Sequence, residues 1–269
     1  MGYFLAVRVL RLLLWTIGLV LGAVALSACG IGGLSPIFPT PVSGNGQDIY
    51  NLYELISIPA IIIFVGVELA LLWVVVKYRR ARQALDYVPP QVHGNTMLEV
   101  VWTVIPLIVV LAIAGGSFFV LQKDFQPVDS SNYTIVVSGH QFGWDYAYPD
   151  KGVVVHQEGT LASDVTPFVV PTHKLIRLQF EGTDVIHSWW VPAISGKTDA
   201  VPGYDNYSWM KIDQDCGNDV EHSTCRWRGE CAELCGVGHS TMQIIVVAVD
   251  QAGFDSWIKL QQGKAQAPS

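Results

Sequence analysis

Two long apolar runs constrain this chain more than anything else in it. Leu55–Val76 spans 22 residues and Leu98–Leu121 spans 24. As helices rising 1.5 Å per residue, each reaches across the roughly 30 Å hydrocarbon core of a bilayer. The stretch between them carries Lys77, Arg79, Arg80 and Arg82, four positive charges within six residues. Basic loops stay on the cytoplasmic side, so both flanking regions are expected to face outward. Composition agrees: hydrophobic residues make up 51% of the 269 and charged residues only 14%, too apolar for an ordinary soluble enzyme. The net charge of −7 argues against nucleic acid, which wants a basic face, and leaves room for a basic protein partner.

The chain opens with a secretory pattern. Arg8 and Arg11 precede Leu12–Leu26, a run without charge that ends in Leu26-Ser27-Ala28-Cys29. That ending resembles the bacterial lipobox, so residues 1–28 are expected to be a removed signal peptide and Cys29 to carry a lipid on the outer leaflet; an uncleaved signal anchor is the alternative. Gly, Pro and Ser crowd residues 30–48, and residues 29–52 read as an external linker before a helical hairpin over 53–124. From Asn132 onward the texture changes to short β-rich runs: Tyr133–Ser138, Gly152–His156, Lys174–Phe180, Val185–Val191 and Gln243–Val249. Such runs, separated by turn residues, predict a β-sandwich or barrel over 130–252. Residues 253–269 form the tail, with a short helix expected over 253–262.

Chemistry concentrates in Cys231-Ala232-Glu233-Leu234-Cys235-Gly236-Val237-Gly238-His239-Ser240-Thr241-Met242. Two thiolates, an imidazole and a thioether on one loop are a copper ligand set. A blue-copper site uses a single Cys, whereas two on one turn can bridge a pair of metal ions. The second ion then needs another imidazole, and His187 in Asp184-Val185-Ile186-His187-Ser188-Trp189-Trp190-Val191-Pro192 is the best candidate. One electron spread over two metal ions changes each bond little, which suits electron transfer. The alternative is a zinc clamp of Cys231, Cys235, His239 and His187, which leaves Met242 unused. Cys216 and Cys225 read most simply as a disulfide on an oxidising outer face, with a second metal site using His222 as the other possibility. No Cys-x-x-Cys-His pattern occurs, so no covalent c-type haem is expected.

These segments resemble the cytochrome c oxidase subunit II family. Its copper-loop pattern, Cys-x-Glu-x-Cys-x-x-x-His-x-x-Met, is matched at every position, and His187-Ser188-Trp189-Trp190-Val191-Pro192 is similar to its other ligand segment. The resemblance implies a mainly β protein, a two-helix transmembrane hairpin followed by a cupredoxin-like Greek-key β-sandwich. It implies a dinuclear copper centre, CuA, with Cys231 and Cys235 bridging, His187 and His239 each on one copper, and Met242 and the Glu233 carbonyl as further ligands. It also implies that the Glu233 carboxylate reaches a magnesium ion shared with the large subunit; read alone, Glu233 is a solvated loop residue. Glu99-Val100-Val101-Trp102-Thr103-Val104-Ile105-Pro106 looks like the family's Glu-x-x-Trp-Thr-x-x-Pro, whose glutamate lies at the cytoplasmic mouth of a proton-uptake path. Without the resemblance, interfacial solvation would account for Glu99.

Two departures stand out. Lys197–Gly203 is similar to the family's Lys-x-Asp-Ala-x-Pro-Gly, but Tyr204 replaces the usual Arg. Gly139–Tyr148 resembles the aromatic strip Gly-His-Gln-Trp-Tyr-Trp-x-Tyr-x-Tyr, with Phe142 where the family's first Trp receives electrons and Gly143 in place of Tyr. Phe142 and Trp144 are therefore the candidates for receiving electrons here. Glu68, deep in the first apolar run, is either a tolerated intramembrane carboxyl or one paired with another subunit. The resemblance further implies a proton-pumping complex in a bacterial inner membrane with haem–copper subunit I and subunit III, reducing oxygen to water. Its electrons would come from cytochrome c or a tethered cytochrome; membrane lipid is a partner and nucleic acid is not. The rivals are a free-standing copper carrier or copper-delivery lipoprotein, which would not need two spans, and a quinol-oxidase subunit, which lacks the copper ligands.

Overall fold

The structure, a computed structural model, describes residues 39–79, 88, 91, 93–124, 133–159 and 165–265. The signal-like segment, Cys29, Arg80 and Arg82 lie outside the described residues. Helix α1 runs Gly44–Lys77 and helix α2 runs Thr96–Asp124, so both apolar runs are helical throughout. α1 begins inside the stretch expected to be linker. Ser43 makes that early start possible: its hydroxyl accepts the Gly46 N–H at 3.0 Å and donates to the Ile194 carbonyl. Asn95 starts α2, its side-chain oxygen accepting the Leu98 N–H at 3.2 Å. Both helices are long and apolar enough to cross a membrane. They pack together only in the halves next to the sandwich, where Leu52, Ile56 and Pro59 on one and Val109, Ile113, Gly116 and Val120 on the other are partly covered.

Ten strands follow among the described residues: β1 Tyr133–His140, β2 Gly143–Tyr148, β3 Val153–Glu158, β4 Phe168–Pro171, β5 Ile176–Gly182, β6 His187–Trp190, β7 Thr198–Ala200, β8 Asn206–Met210, β9 Arg226–Cys231 and β10 Gln243–Val249. They form two five-stranded sheets, ordered β3-β2-β1-β5-β8 and β4-β10-β9-β6-β7. β1 pairs with β5, and β10 with β4, in parallel. Period-two alternation turns Ile135 and Val137 of β1, Val153 and Val155 of β3, and Leu178 and Phe180 of β5 into the core between the sheets. Helix α3, Gln251–Ala265, packs against β3 and β4, with Tyr148 edge-on to Trp257 at 5.5 Å.

One buried side chain ties the sheets together as a strand would. Gln157 of β3 accepts the Ile245 N–H at 3.2 Å and donates to the Ile245 carbonyl at 3.0 Å, while its oxygen also takes the Tyr146 hydroxyl at 3.1 Å. All of its polar capacity is met, so its burial costs little. The segment between β8 and β9 is fastened by a disulfide, Cys216–Cys225, the simpler of the two readings of that pair. Backbone bonds from Asp250 to Gly217 (2.7 Å) and from Ala248 to Cys225 (3.0 Å) hold it against the end of β10.

Candidate metal centre

The loop Cys231–Met242 leaves one strand and enters the next, and its two ends are tied together. Cys231 closes β9 and its N–H donates to the Met242 carbonyl at 3.1 Å, while the Ala232 N–H donates to Ser188 of β6 at 2.8 Å. Gly236, at φ +135°, takes a backbone conformation that L side chains rarely adopt, and there the chain turns back. A short 3₁₀ turn, His239–Thr241, then delivers Met242 to the start of β10. A loop anchored at both ends holds its donor atoms with little freedom.

Those atoms converge in two sets. The Cys231 sulfur lies 3.9 Å from His187 Nδ1 and 3.3 Å from the Glu233 carbonyl oxygen. The Cys235 sulfur lies 3.6 Å from His239 Nδ1 and 3.3 Å from the Met242 sulfur. Ligand atoms of His187, Cys231 and Cys235 all fall within 4.8 Å of one another, the only such group among the described residues. Cys231, Cys235, His187 and Met242 are buried, and both thiols are free. Burial, and then the neighbouring Cys231, push the Cys235 thiol up to about 11, so a metal must displace its proton. A thioether against a thiolate sulfur suits copper and gives zinc nothing it needs, so the donor set fits copper.

His187 is aimed by a residue that sequence reasoning did not single out. The Asp184 carboxylate stands 2.9 Å from His187 Nε2 and accepts the Val185 N–H at 2.6 Å and the Gln141 N–H at 2.7 Å. Burial works to raise the Asp184 carboxyl, but the His187 ring and these two N–H groups outweigh it and hold it below the usual carboxylate range. With Nε2–H committed to Asp184, Nδ1 presents its lone pair to the sulfurs. Gln141 completes the clasp, its side-chain amide donating to the Cys235 carbonyl at 2.6 Å.

Of the other expected site residues, Phe142 lies beside the loop. A Cβ on Gly238 would stand 2.4 Å from its ring and one on Gly236 3.1 Å, so the half-buried ring rests directly on the two loop glycines. Trp144 has no surface to offer. It is fully buried, edge-on to the His187 ring at 5.9 Å, because β2 turns it into the core, so it cannot itself meet a docked donor. Glu233 and Glu99 are exposed, and Glu99 lies far from the loop, in the first turn of α2. Tyr204 is exposed.

Two apolar spans lead into a sandwich whose one tied loop gathers soft donors that could hold a metal, the arrangement of a membrane-bound metal-site protein. The comparisons with known proteins narrow this. The models for "Cytochrome C oxidase subunit II, periplasmic domain" and "Cytochrome C oxidase subunit II, transmembrane domain" match residues 133–249 and 32–120. Cytochrome c oxidase subunit 2 of Cereibacter sphaeroides is 31% identical over 241 residues, covering 78% of this chain and 74% of that one. Its counterpart from Alkalihalophilus pseudofirmus is 32% identical over 234 residues, covering 85% of this chain. This chain spans 63% of that relative's length. The crystal structure of the periplasmic domain of subunit II of cytochrome oxidase from Bradyrhizobium japonicum is 33% identical, with a TM-score of 0.45 over 51% of this chain and 97% of that one. The chain belongs to the cytochrome c oxidase subunit II family, whose members bind CuA.

Proposed function

We propose that this chain is the copper-bearing subunit of a haem–copper oxidase, taking electrons from a cytochrome and handing them to haem-bearing subunit I, where oxygen is reduced to water. The observation that carries the reading is the pairing of each free thiol with one imidazole nitrogen and one further donor inside 4 Å. Cys231, Cys235, His187, His239, Met242 and the Glu233 carbonyl would together hold the copper. A dinuclear copper centre held there supplies one-electron chemistry with little rearrangement. The protein's part is to fix the donors: strand pairing holds both ends of the loop, Asp184 sets the His187 tautomer, and burial keeps water from the sulfurs.

Phe142 is the proposed point of electron arrival, since its ring sits on the loop and reaches the surface. Leu234 and Val237, exposed on the same loop, give a docking cytochrome apolar contact. A magnesium ion at the exposed Glu233 carboxylate would take further ligands from subunit I. Glu99 would collect protons on the cytoplasmic side. The sandwich would lie on the periplasmic side, with Cys29 lipidated after loss of residues 1–28 and with subunit III in the same complex.

Metal analysis with EPR on the purified chain tests the centre. Two coppers per chain and one unpaired electron shared between them are expected, and Cys231→Ser abolishes that spectrum. One copper with a four-line spectrum, or tightly held zinc, overturns the reading.

A further inference from the structure

Glu68 is a carboxyl inside a membrane span, and nothing described in this chain meets it. It sits nine residues past Pro59, the last partly covered residue of α1, and nine before Lys77. At 1.5 Å per residue it is about 14 Å from either. Every residue from Ala60 to Lys77 is exposed, as is every residue of α2 from Thr96 to Ile108, so the two helices do not cover each other at this level. Direction matters as much as depth. At 100° per residue, nine residues carry Glu68 to the side of α1 opposite Pro59. Closing the hairpin further along its existing seam would therefore leave Glu68 facing away from α2. Its neighbours on that side, Ile61, Val65, Leu72 and Val75, recur at helical spacing and are 46–67% exposed. A stripe of this shape, apolar with one carboxyl at its centre, is a helix-packing surface with one polar requirement.

We infer that Glu68 anchors an intramembrane contact in which a transmembrane helix of the large haem-bearing subunit lies along the Ile61–Val75 side of α1 and offers the carboxyl a hydrogen-bond donor or a basic side chain. A carboxyl in hydrocarbon finds no water, so a polar group on the adjoining helix is the arrangement that satisfies it. The inference rests on the oxidase reading, because that reading supplies the adjoining helix. It gives the contact a polar fix that apolar packing alone lacks, setting both the depth and the rotation of α1 against its neighbour.

The test uses the whole complex, purified through a tag on this chain from cells that also make the other subunits. Glu68→Leu makes the span more apolar, so insertion does not suffer. The large subunit recovered with the chain is measured by haem content over a series of detergent concentrations, with copper content as a check on the sandwich. Glu68→Leu is expected to weaken association about 3- to 30-fold, the range for an interhelical hydrogen bond in a membrane. Copper content stays unchanged, and Glu68→Gln, which keeps a hydrogen-bonding amide, loses less than Glu68→Leu. If wild type retains the haem-bearing subunit and Glu68→Leu retains it equally at every detergent concentration, Glu68 faces lipid and the inference is overturned. If wild type recovers no haem-bearing subunit at all, the oxidase reading itself falls.

Discussion

Asp184 shows how a single side chain can control a proposed metal ligand that it does not replace. Its carboxylate is fixed by two backbone N–H groups, so the oxygen that meets His187 Nε2 has little freedom to move. Asp184→Asn keeps the shape but removes the charge. The amide can turn its NH₂ toward the ring, which favours the tautomer with the proton on Nδ1 and no lone pair for a metal. Copper retention against a competing chelator should fall about 10- to 100-fold, the usual effect of losing such a partner. The visible spectrum should change while the far-ultraviolet circular dichroism stays the same. Unaltered retention would show that the ring is held by packing against Trp144 alone. The pH dependence has a definite sign. A carboxyl held below its ordinary range stabilises the folded site above about pH 4 and loses that contribution as the pH falls through its lowered pKa.

Among the elements, β9 and the loop it feeds depend most on close approach. Gly229 pairs with Ile244, and a Cβ there would lie 2.2 Å from the Trp190 carbonyl oxygen and 2.6 Å from Val191. A carbonyl held in a sheet has nowhere to go. Gly229→Ala should push β6 from β9 and cost about 1–3 kcal/mol or more, read as a lowered midpoint of thermal unfolding. Because Cys231 lies two residues on, copper content should fall with it; an unchanged midpoint would show that the strands yield freely.

The neighbouring elements show which parts of the fold were legible in the sequence. β10 matches its expected limits, Gln243–Val249, because Ile244–Val247 is a β-branched run continued by Ala248 and Val249. Both spans were legible through apolar length, each broken by a single carboxylate, Glu68 or Glu99. β9 was missed because Arg226, Arg228 and Glu230 fill its outward positions and leave little apolar pattern. β2 carries its signal in aromatics that read as chemistry, and β4, β7 and β8 are too short for a period to show. The start of α1 depends on the Ser43–Ile194 contact, which joins residues 151 apart. The same limit governs the site. Four of its proposed donors, Cys231, Cys235, His239 and Met242, share one loop and could be read from spacing, and the Glu233 carbonyl entered only through the family resemblance, whereas the clasp of Gln141, Asp184 and Cys235 exists only once β1, β6 and the loop meet.

At the scale of the whole molecule, electrons and protons are assigned to opposite ends. Glu99 stands in the first turn of α2, and 25 residues of helix, about 37 Å at 1.5 Å per residue, separate it from Asp124 beneath the sandwich. Both ends of the span meet water and counter-ions, which screen exposed charges there, so a change at Glu99 should be little felt at the copper loop. On the proposed reading electrons arrive at the Phe142 surface and the loop beneath it, which Glu99 does not touch. Oxygen reduction consumes a proton for each electron, so if Glu99 gathers protons for the large subunit, its loss limits turnover after the first electron has already arrived. Glu99→Gln in the assembled complex should therefore lower steady-state turnover about 10-fold or more. Reduction of the copper centre by the donor, followed by stopped flow, should keep its wild-type rate. Phe142→Ala reverses the pattern, slowing copper reduction first and turnover only in consequence. Slow copper reduction in Glu99→Gln would mean that the two ends communicate through the fold, and undiminished turnover would mean that Glu99 is only a solvated helix end.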